Sequence, residues 1–567
     1  MRKINFFTCR NIFVILFCLS FIIFPIAGNS QDIADRPVRI YQLWDWVSYK
    51  NCNYPTSLTE GLEYVYFGTS GGIIAFHKYG RYWADPFTTS NGLSDDFVTA
   101  VFFDQTTNYL WAAHNAGISY LTPASQRWTN ISKADLSLPA SNTITRLGTD
   151  GNSIWVEATG GYLFTINKIL GFSQAMHSSA PSSVVWQPSS YDSVPDIRTY
   201  SIDQNCHIDG RGVILDADLR EYPLTLFMAD ANRDAYGGIA GLGLFEGDAN
   251  IKIMRLHPAG PLQNFISALA FDKNHLWMSG SQSDPNPLFA KSGISGIDLR
   301  DWNWDYFENI LINELATDIV TDIAFRNDRL WIGTTQGLSI YDQKKSRWKR
   351  LSMFEGLADE IVTTIALQDT VAWIGTPRGL SVVTIPGYKA RRFRLSPGQN
   401  ILKILKVAID PQKIWIGTDN GLYSIDKFNR NVEHYDMFGV RIGLDEAVAA
   451  EFQAIGIGDS VNVFGRYNGL LRYSQKSETW TSLPLTAELN GADIFDLAVA
   501  GNNLWIGTNQ GATLMRLNDF YSEHYTTVDG LAGDNVFKII VDEDWIWFAT
   551  DRGLTKYQWR KYATFAE

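Results

Sequence analysis

A four-residue segment, Trp-Ile-Gly-Thr, occurs four times in this chain and constrains its fold more than any other feature. The copies begin at Trp331, Trp373, Trp415 and Trp505. Each copy is followed at the same distance by a glycine: Gly337, Gly379, Gly421 and Gly511. The first three copies are 42 residues apart. A period in the low forties, built from strand-forming residues, is typical of one four-stranded blade of a β-propeller.

Weaker copies extend the repeat over most of the chain. They begin at Tyr66, Trp111, Trp155, Leu226, Trp277, Val463 and Trp547, and the copy at Leu226 is degenerate. The spacing is longer between residues 155 and 331, so we expect insertions there. One propeller typically has four to eight blades, and eleven units exceed that number. We therefore predict an all-β chain with about eleven four-stranded blades in two propellers.

The unit around Trp373 shows the predicted blade. Residues 361–367 are the expected innermost strand, 371–376 the second and 380–384 the third, and the fourth strand lies around Arg392. In four other units a tryptophan lies 17 residues after the anchor, at Trp83, Trp128, Trp348 and Trp480. A fixed offset indicates a fixed position in the blade, which we assign to the fourth strand.

Two propellers could be arranged in more than one way. We predict an N-terminal propeller with insertions over residues 31–305 and a C-terminal propeller over residues 306–567. The segment from Arg39 to Tyr49 is strand-like and precedes the first unit. We expect it to complete a blade whose other strands come from a distant part of the chain. An interleaved arrangement, in which C-terminal blades close the first propeller, is the alternative.

The N-terminus has the order of regions found in an export signal. Three basic residues precede an apolar run from Ile12 to Ala27, and small residues follow from Gly28 to Ser30. We therefore predict a signal peptide over residues 1–30. The alternative is an uncleaved anchor, but Pro25 lies near the end of an apolar run that is short for a spanning helix. The mature chain is expected in the periplasm or at the cell surface, without a transmembrane segment.

Charge and cysteine content limit the partners and the stabilising chemistry. Acidic residues outnumber basic ones by 60 to 48, which gives a formal net charge of −12. A duplex nucleic-acid binder usually has a basic surface, so we expect no nucleic-acid partner. Only Cys52 and Cys206 remain after removal of residues 1–30. One disulfide is possible in an oxidising compartment, but two cysteines do not make a disulfide scaffold.

The repeat resembles the two-component-regulator propeller family. The segments 337–342 and 421–426 have its Gly-Leu strand, and the segments 92–96, 356–360 and 530–534 have its Gly-Leu connecting loop. The resemblance implies an extracytoplasmic propeller of the sensor type, for which saccharides are typical signals. A similar pairing of propellers occurs in a surface component of type IX secretion. Because no kinase, receiver or membrane segment follows the last unit, a separate membrane sensor kinase or secretion machinery is the implied partner.

The connecting loops repeat an acidic residue three positions after the loop leucine. These residues are Asp96, Asp318, Glu360 and Asp534. One interpretation is an acidic ring at the mouth of the propeller channel that binds hydroxyl-rich or cationic ligands. The other is that each carboxylate caps its own turn, as aspartate commonly does in loops.

Most of the 19 tryptophans have a structural explanation. Twelve lie at anchor positions or at the 17-residue offset, and we expect them in the core. Trp186 lies in the long insertion after the third unit, and Trp302 and Trp304 close a later insertion. These three are the candidates for ligand contact, with ordinary packing as the alternative.

No motif in the sequence predicts a metal or a cofactor. The segment 230–237 begins like a calcium loop, but Ala235 and Gly241 stand where a turn glycine and a closing glutamate are expected. The eight histidines have no zinc-binding spacing, and no glycine-rich phosphate cradle occurs. We therefore expect neither a metal nor a cofactor.

The sequence favours an exported, non-catalytic recognition protein. It would bind a glycan or an envelope protein through its loop faces. One alternative is a structural subunit of a secretion or cell-surface complex. Another is a propeller lyase or hydrolase, whose site would be an acid–histidine cluster over the channel.

Overall fold

Strands account for nearly all of the regular structure. The computed structural model describes residues 41–562, except 125–126, 191, 205, 273, 283–290, 396–400, 436–450 and 467–468. The predicted signal peptide, residues 1–30, lies outside the described residues. The described part contains 49 strands, a few single-turn 3-10 helices and one α-helix, α1 (Trp559–Tyr562). None of its helices is long and apolar enough to cross a lipid bilayer. The chain is all-β, as the repeat predicts.

The first strand, β1 (Trp46–Tyr49), precedes four sheets that residues 55–257 form, and we call these sheets the four-sheet group. Sheet 1 consists of β2 Pro55–Glu60, β3 Tyr64–Thr69, β4 Gly72–His77 and β5 Tyr82–Trp83. Sheet 2 consists of β6 Val98–Asp104, β7 Tyr109–His114, β8 Gly117–Leu121 and β9 Trp128–Ser132. Sheet 3 consists of β10 Ile144–Thr149, β11 Ser153–Ala158, β12 Tyr162–Asn167, β13 Ser173–Met176 and β14 Val185–Trp186.

Sheet 4 is interrupted by a small ribbon. Its first member in the chain is β15 Ser201–Ile202. A three-stranded ribbon follows, with β16 His207–Ile208, β17 Ile214–Leu215 and β18 Glu221–Tyr222. The remaining strands of sheet 4 are β19 Leu224–Ala229, β20 Asp234–Ile239, β21 Gly243–Asp248 and β22 Ile253–His257, and β15 pairs with β22 in parallel.

Seven four-stranded sheets follow. Sheet 5 is β23 Ala268–Phe271, β24 His275–Ser279, β25 Ile294–Asp298 and β26 Trp304–Phe307. Sheet 6 is β27 Val320–Arg326, β28 Arg329–Thr334, β29 Gly337–Asp342 and β30 Arg347–Leu351. Sheet 7 is β31 Thr364–Leu367, β32 Val371–Thr376, β33 Gly379–Thr384 and β34 Ala390–Phe393. Sheet 8 is β35 Ile404–Ile409, β36 Lys413–Thr418, β37 Gly421–Asp426 and β38 Val432–Tyr435.

The last sheets continue the same pattern. Sheet 9 is β39 Phe452–Ile457, β40 Val461–Arg466, β41 Gly469–Ser474 and β42 Thr479–Leu483. Sheet 10 is β43 Ile494–Ala500, β44 Asn503–Thr508, β45 Gly511–Arg516 and β46 Ser522–Tyr525. Sheet 11 is β47 Val536–Asp542, β48 Trp545–Thr550 and β49 Gly553–Tyr557, and its fourth strand is β1.

The N-terminal strand β1 completes the last sheet. It pairs antiparallel with β49, with Trp46 opposite Tyr557 and Tyr49 opposite Leu554. A hydrogen bond of 2.9 Å between the hydroxyls of Ser48 and Thr555 crosses the same pair of strands. The prediction that the N-terminal segment completes a blade from a distant part of the chain is confirmed.

Contacts between the first strands of the sheets define how the sheets are grouped. They run from β23 through β27, β31, β35, β39, β43 and β47, and β47 contacts β23 again. Sheets 5 to 11 therefore form a closed ring, which we call the seven-sheet ring. In the four-sheet group, β2 contacts both β6 and β19, and β6 contacts β10. The predicted division near residue 305 falls within sheet 5, whose first strand β23 contacts β27 and β47.

The anchor residues explain why the sheets pack face to face. Ten of the eleven anchors lie in the second strand of a sheet, where the repeat places them. Trp331, Trp373 and Trp415 are at most 1% exposed. The anchor assigned to Leu226 is wrong, because Leu226 lies in the first strand β19 and the second strand contributes the buried Tyr236. The inserted ribbon lengthens the spacing here, which explains the misplacement.

Threonines at the start of the first strands link neighbouring sheets. The register shifts between Val320 and Asp322, so Thr321 is left out of the pairing with β28. Its hydroxyl donates instead to the carbonyl of Val362, at 2.6 Å. Thr363 makes the same bond, also of 2.6 Å, to the carbonyl of Ile404 on the next sheet. These bonds fix the order of adjacent sheets around the ring.

A buried charged cluster occupies the interior of the seven-sheet ring. Asp496 of β43 accepts from Lys538 of β47 at 3.1 Å and from Lys406 of β35 at 3.4 Å. Its other oxygen accepts from the backbone N–H of Ile539, at 3.0 Å. Burial alone would raise the pKa of Asp496, but the two lysines hold it below its ordinary value. Because sheets 8 and 10 are not neighbours, the pair with Lys406 reaches across the ring interior.

Candidate functional site

Two chain segments connect the four-sheet group with the seven-sheet ring, and we call them the neck: residues 50–54 and 258–267. Hydrogen bonds join the two segments directly. The N–H of Cys52 donates to the carbonyl of Ala259 at 2.9 Å, and the side-chain oxygen of Asn53 accepts from the N–H of Ala259 at 2.8 Å. A Cβ on Gly260 would lie 1.9 Å from the carbonyl oxygen of Lys50, so only glycine fits there. The neck is therefore a closely packed pair of chain segments outside the strands.

A cleft of about 290 Å³ lies beside the neck. Its lining comes from the four-sheet group, from the neck and from residues 302–305 at the start of strand β26. Its volume is at the lower end of the range of about 300–1,000 Å³ that is usual for ligand pockets. A junction between two structural units is also a common place for such pockets. We therefore take this cleft as the candidate functional site.

On the side of the seven-sheet ring, the wall of the cleft is formed by Trp302, Trp304 and Asp305. Trp302 has a φ of 60° in the turn before β26 and stacks on Tyr49, with ring centroids 5.6 Å apart. The ammonium group of Lys556 lies 5.1 Å from the same indole. Trp304 lies 6.2 Å from Tyr49 in a tilted arrangement. The two predicted tryptophans are thus brought together and held by side chains of sheet 11.

The opposite wall comes from the four-sheet group, through Trp83, Asp85 and His257. The Tyr49 hydroxyl donates to Asp85 at 2.7 Å and so ties the two walls together. Trp83 contacts His257 with ring centroids 5.2 Å apart. Within the described part of the chain, neither Trp83 Nε1 nor His257 Nε2 has a hydrogen-bond partner, although both atoms are buried. Trp83 therefore has a place in the cleft as well as in the fourth strand of its sheet.

The charged groups of the cleft differ in how they are paired. Lys50 forms an ion pair with Asp96, and Arg255 donates to Glu246 at 3.2 Å. Asp203 accepts from the backbone N–H of Leu256 at 2.7 Å. The charges of Lys50 and Arg255 are thus each neutralised by a carboxylate that does not line the cleft.

The carboxylates of the lining are less constrained. Among the residues that the structure describes, Asp85, Asp203 and Asp305 form no ion pair. The backbone of Asp305 pairs with Gly296, and its side chain lies on the opposite face of β26 from Trp304, near His275. Burial raises the pKa of Asp305, which the nearby His275 partly offsets. Burial also lowers the pKa of His257 to about 4, so this imidazole is neutral at neutral pH. The unpaired formal charge in the cleft is therefore negative.

The four carboxylates predicted from the loops each bind their own loop. Asp96 accepts from the N–H of Thr89, Asp318 from Asn309 and Asp534 from Thr527, all at 2.7 Å, and Glu360 accepts from Met353 at 3.0 Å. This is the geometry of a turn cap. Burial raises the pKa of Asp318 to about 6. None of the four is among the residues that line the cleft.

The capped loops present apolar side chains to solvent. In three loops of the seven-sheet ring, the residue that follows the capped N–H is apolar. These residues are Ile310, Phe354 and Val528. These side chains are 56%, 97% and 93% exposed, respectively. Strand direction places all three loops on one face of the ring, since each connects a fourth strand to the next first strand. We call these three residues the apolar rim.

The remaining candidates lie elsewhere. Trp186 is in β14, where it pairs with Gly148 of β10, and it is not in the lining of the cleft. Asp230 accepts from the N–H groups of Asn232 and Asp234 at 2.9 Å and so closes its own turn. No cluster of three or more metal-binding side chains occurs in the described ranges. Cys52 and Cys206 are both free thiols.

Two of the cleft residues are predicted by the sequence, and the others are not. Trp302 and Trp304 stood out because no repeat position explained them. Asp85, Asp203 and His257 come from segments far apart in the chain, and no spacing relates them. Asn303 and Asp305 also line the cleft, and their proximity to Trp304 in the sequence could have indicated them.

The fold is similar to that of proteins whose structures have been solved. No protein-family model matches the sequence, and no curated protein matches it. One similar solved structure is PorZ, described as an essential bacterial surface component of the type IX secretion system of Porphyromonas gingivalis. The two chains have 15% sequence identity and a TM-score of 0.59, and the match covers 91% of this chain and 87% of PorZ.

Extracellular domains of two-component systems are also similar. The domain of the hybrid two-component system BT3049 from B. thetaiotaomicron matches with 15% identity and a TM-score of 0.42, covering 90% of this chain and 76% of that one. The domain of BT4673 from the same organism matches with 14% identity and a TM-score of 0.42, covering 89% and 70%. At such low identity the likeness to PorZ concerns the fold, and it agrees with the propeller-type sheets described above.

Proposed function

We propose that this chain is an exported, non-catalytic recognition protein whose cleft beside the neck binds a saccharide. The observation that carries the proposal is the pair Trp302 and Trp304, which line one cleft with the acidic residues Asp85 and Asp203. Aromatic side chains bury large apolar faces, and a few convergent polar groups fix the orientation of a ligand. A sugar ring offers both kinds of surface, because its C–H face is apolar and its rim carries hydroxyls.

The proposal that the protein is non-catalytic is supported by the low pKa and the burial of His257, the imidazole among the residues that line the cleft. His257 has a depressed pKa, and its Nε2 is buried 4.0 Å from Glu246. A general acid or base needs a pKa near the working pH and contact with the reacting group. Incubation of the protein with each bound saccharide should therefore return the saccharide unchanged, as chromatography would show.

Trp304→Ala is expected to weaken saccharide binding at least about tenfold, because truncation of an aromatic residue at the centre of a binding site commonly costs this much. Isothermal titration calorimetry with the strongest ligand from a glycan array measures the change. The variant should keep most of its stability, since Trp304 is only partly buried.

Trp186→Ala is the matched control for that experiment. Trp186 was an equal candidate from sequence, is also partly buried and lies outside the lining of the cleft. It should leave the affinity unchanged. Loss of binding in Trp186→Ala with normal binding in Trp304→Ala would move the site away from the neck.

A second function, as a subunit of a secretion or cell-surface complex, is favoured by the apolar rim. Exposed apolar groups on one face often mark protein contacts. The similarity to PorZ, a surface component of a secretion system, points the same way. In this case the protein would contact an envelope protein through its loops rather than a small ligand through its cleft.

Phe354→Ser combined with Val528→Ser tests this second function. Cross-linking in the native envelope, followed by affinity purification and mass spectrometry, should recover stoichiometric partners with the wild type and lose them with the double variant. Saccharide affinity should not change, because neither residue lines the cleft. Equal recovery with both proteins would reject the rim as an interface.

A further inference from the structure

A second cavity, of about 340 Å³, shares one residue with the cleft. That residue is Arg255, which lines both spaces, so the two meet at its side chain. The lining of the second cavity also includes Arg81 from sheet 1 and Asp234, Asp248 and Ile251 from sheet 4. The register of the strands shows how the two spaces follow one another.

The wall on sheet 4 is a row of three cross-strand pairs between β21 and β22. They share one face of the sheet, because side chains alternate along a strand. In order, the pairs are Leu244 with His257, Glu246 with Arg255, and Asp248 with Ile253. The first pair lines the cleft, the second includes the shared arginine, and the third includes an aspartate of the second cavity. The row from Leu244 to Asp248 is about 13 Å long, at the usual rise of a strand.

The opposite wall, on sheet 1, passes the same points in the same order. Trp83 of the cleft contacts His257, with ring centroids 5.2 Å apart. Arg81 of the second cavity, two residues earlier, forms an ion pair with Glu246. The side chain of Glu246 is 7% exposed, whereas those of Arg81 and Arg255 are 45% and 46% exposed. The contacts between the walls therefore form the floor of one continuous groove, and the two guanidinium groups reach its open side.

The second cavity offers both donors and acceptors of hydrogen bonds. In the described part of the chain, Arg255 donates only through Nη1 and Arg81 only through Nη2, so other N–H groups of both remain available. Asp234, which lies opposite Asp248, accepts no hydrogen bond from a described residue through its side chain. An ion of either sign would meet a group of its own charge here. A hydroxyl group both donates and accepts, and therefore fits this mixed lining.

We propose that the cleft and the second cavity form one groove for a neutral, linear oligosaccharide longer than a disaccharide. The inference rests on the proposed function and specifies the length and charge of its ligand. One sugar ring lies against Trp304, and the following units pass Arg255 and reach Asp234. The exposed side chain of Ile251 gives the last unit an apolar contact. The row on sheet 4 alone is longer than a disaccharide, so a shorter ligand leaves the second cavity empty.

Four series of neutral oligosaccharides test the groove: the cello-, malto-, laminari- and manno-oligosaccharides. Isothermal titration calorimetry should show, in a series that binds, at least about tenfold tighter binding of the tetrasaccharide than of the disaccharide. Asp234→Ala should remove most of this gain, because Asp234 lines only the second cavity. It should leave the disaccharide affinity unchanged, which also shows that the variant is folded. Trp304→Ala should weaken the binding of both lengths.

Asp218→Ala is the matched control, because Asp218 is an exposed aspartate of the four-sheet group and lines neither cavity. It should leave every affinity unchanged. Equal affinities of the disaccharide and the tetrasaccharide for the wild type would overturn the inference and leave the saccharide function standing. A gain with length that persists in Asp234→Ala would also overturn it. Absence of binding in all four series would reject the proposed function and this inference together.

Discussion

Trp46→Ala is expected to lower the free energy of unfolding by about 3–5 kcal/mol, the usual cost of truncating a fully buried tryptophan. Trp46 is 1% exposed and stacks on Tyr557, with ring centroids 3.8 Å apart and an interplanar angle of 9°. It also lies against Gly530 in the loop that enters sheet 11. Because β1 is the fourth strand of sheet 11, the loss falls on the strand that completes the last sheet. Urea denaturation followed by tryptophan fluorescence measures it.

Trp44→Ala provides the matched comparison two residues earlier in the chain. Trp44 is 39% exposed and lies against Phe87, outside β1. Its truncation should cost much less, because a half-exposed side chain loses little burial. Limited proteolysis gives a second readout: Trp46→Ala should be cleaved near its N-terminus faster than the wild type, and Trp44→Ala should not. Equal destabilisation by the two variants would contradict the role of β1 in completing sheet 11.

Asp496→Ala is expected to destabilise the protein by about 3 kcal/mol, at the lower end of the cost of removing one partner from a buried ion pair. The carboxylate is 2% exposed, whereas Lys406 and Lys538 are 18% and 24% exposed and keep some contact with water. Its removal leaves two ammonium groups together in the ring interior and deprives the Ile539 N–H of its acceptor. Urea denaturation should show a lower midpoint.

Two further variants distinguish charge from packing in that result. Adding Lys538→Met to Asp496→Ala should restore part of the lost stability, because it removes one uncompensated charge from the interior. Asp369→Ala removes a carboxylate from an exposed pair with Arg326 and should change stability little. If Lys538→Met failed to restore stability, the loss in Asp496→Ala would come from packing rather than from unpaired charge.

The repeat made the local fold predictable because each blade obeys the same physical rules. The second strand of sheet 7 was predicted over residues 371–376 and is observed over Val371–Thr376. Its limits are set by the buried anchor Trp373 and by the turn glycine Gly379, which has a φ of 122°. At Leu226 the prediction is wrong, because the ribbon inserted before β19 interrupts the regular spacing.

The candidate site was less predictable, because it is built from contacts between segments that no pattern relates. Trp302 and Trp304 could be singled out only by elimination. The offset rule assigned Trp83 to the core, yet one wall of the cleft includes it. For the loop carboxylates, the sequence allowed either a ligand or a capping role, and each is observed to accept from a backbone N–H of its own loop. Whether they also contact a ligand stays a prediction.

The position of β1 has a consequence for the order in which the molecule is made. Ser48 and its hydrogen-bond partner Thr555 are 507 residues apart in the chain. At a synthesis rate of about 5–20 residues per second, β1 waits roughly 25–100 s for β49 to emerge. During that interval the four-sheet group can assemble, but sheet 11 is incomplete and the seven-sheet ring cannot close. Only a chain translated to near its end can close the ring, so an incomplete product is left with an open sheet edge that proteases can attack.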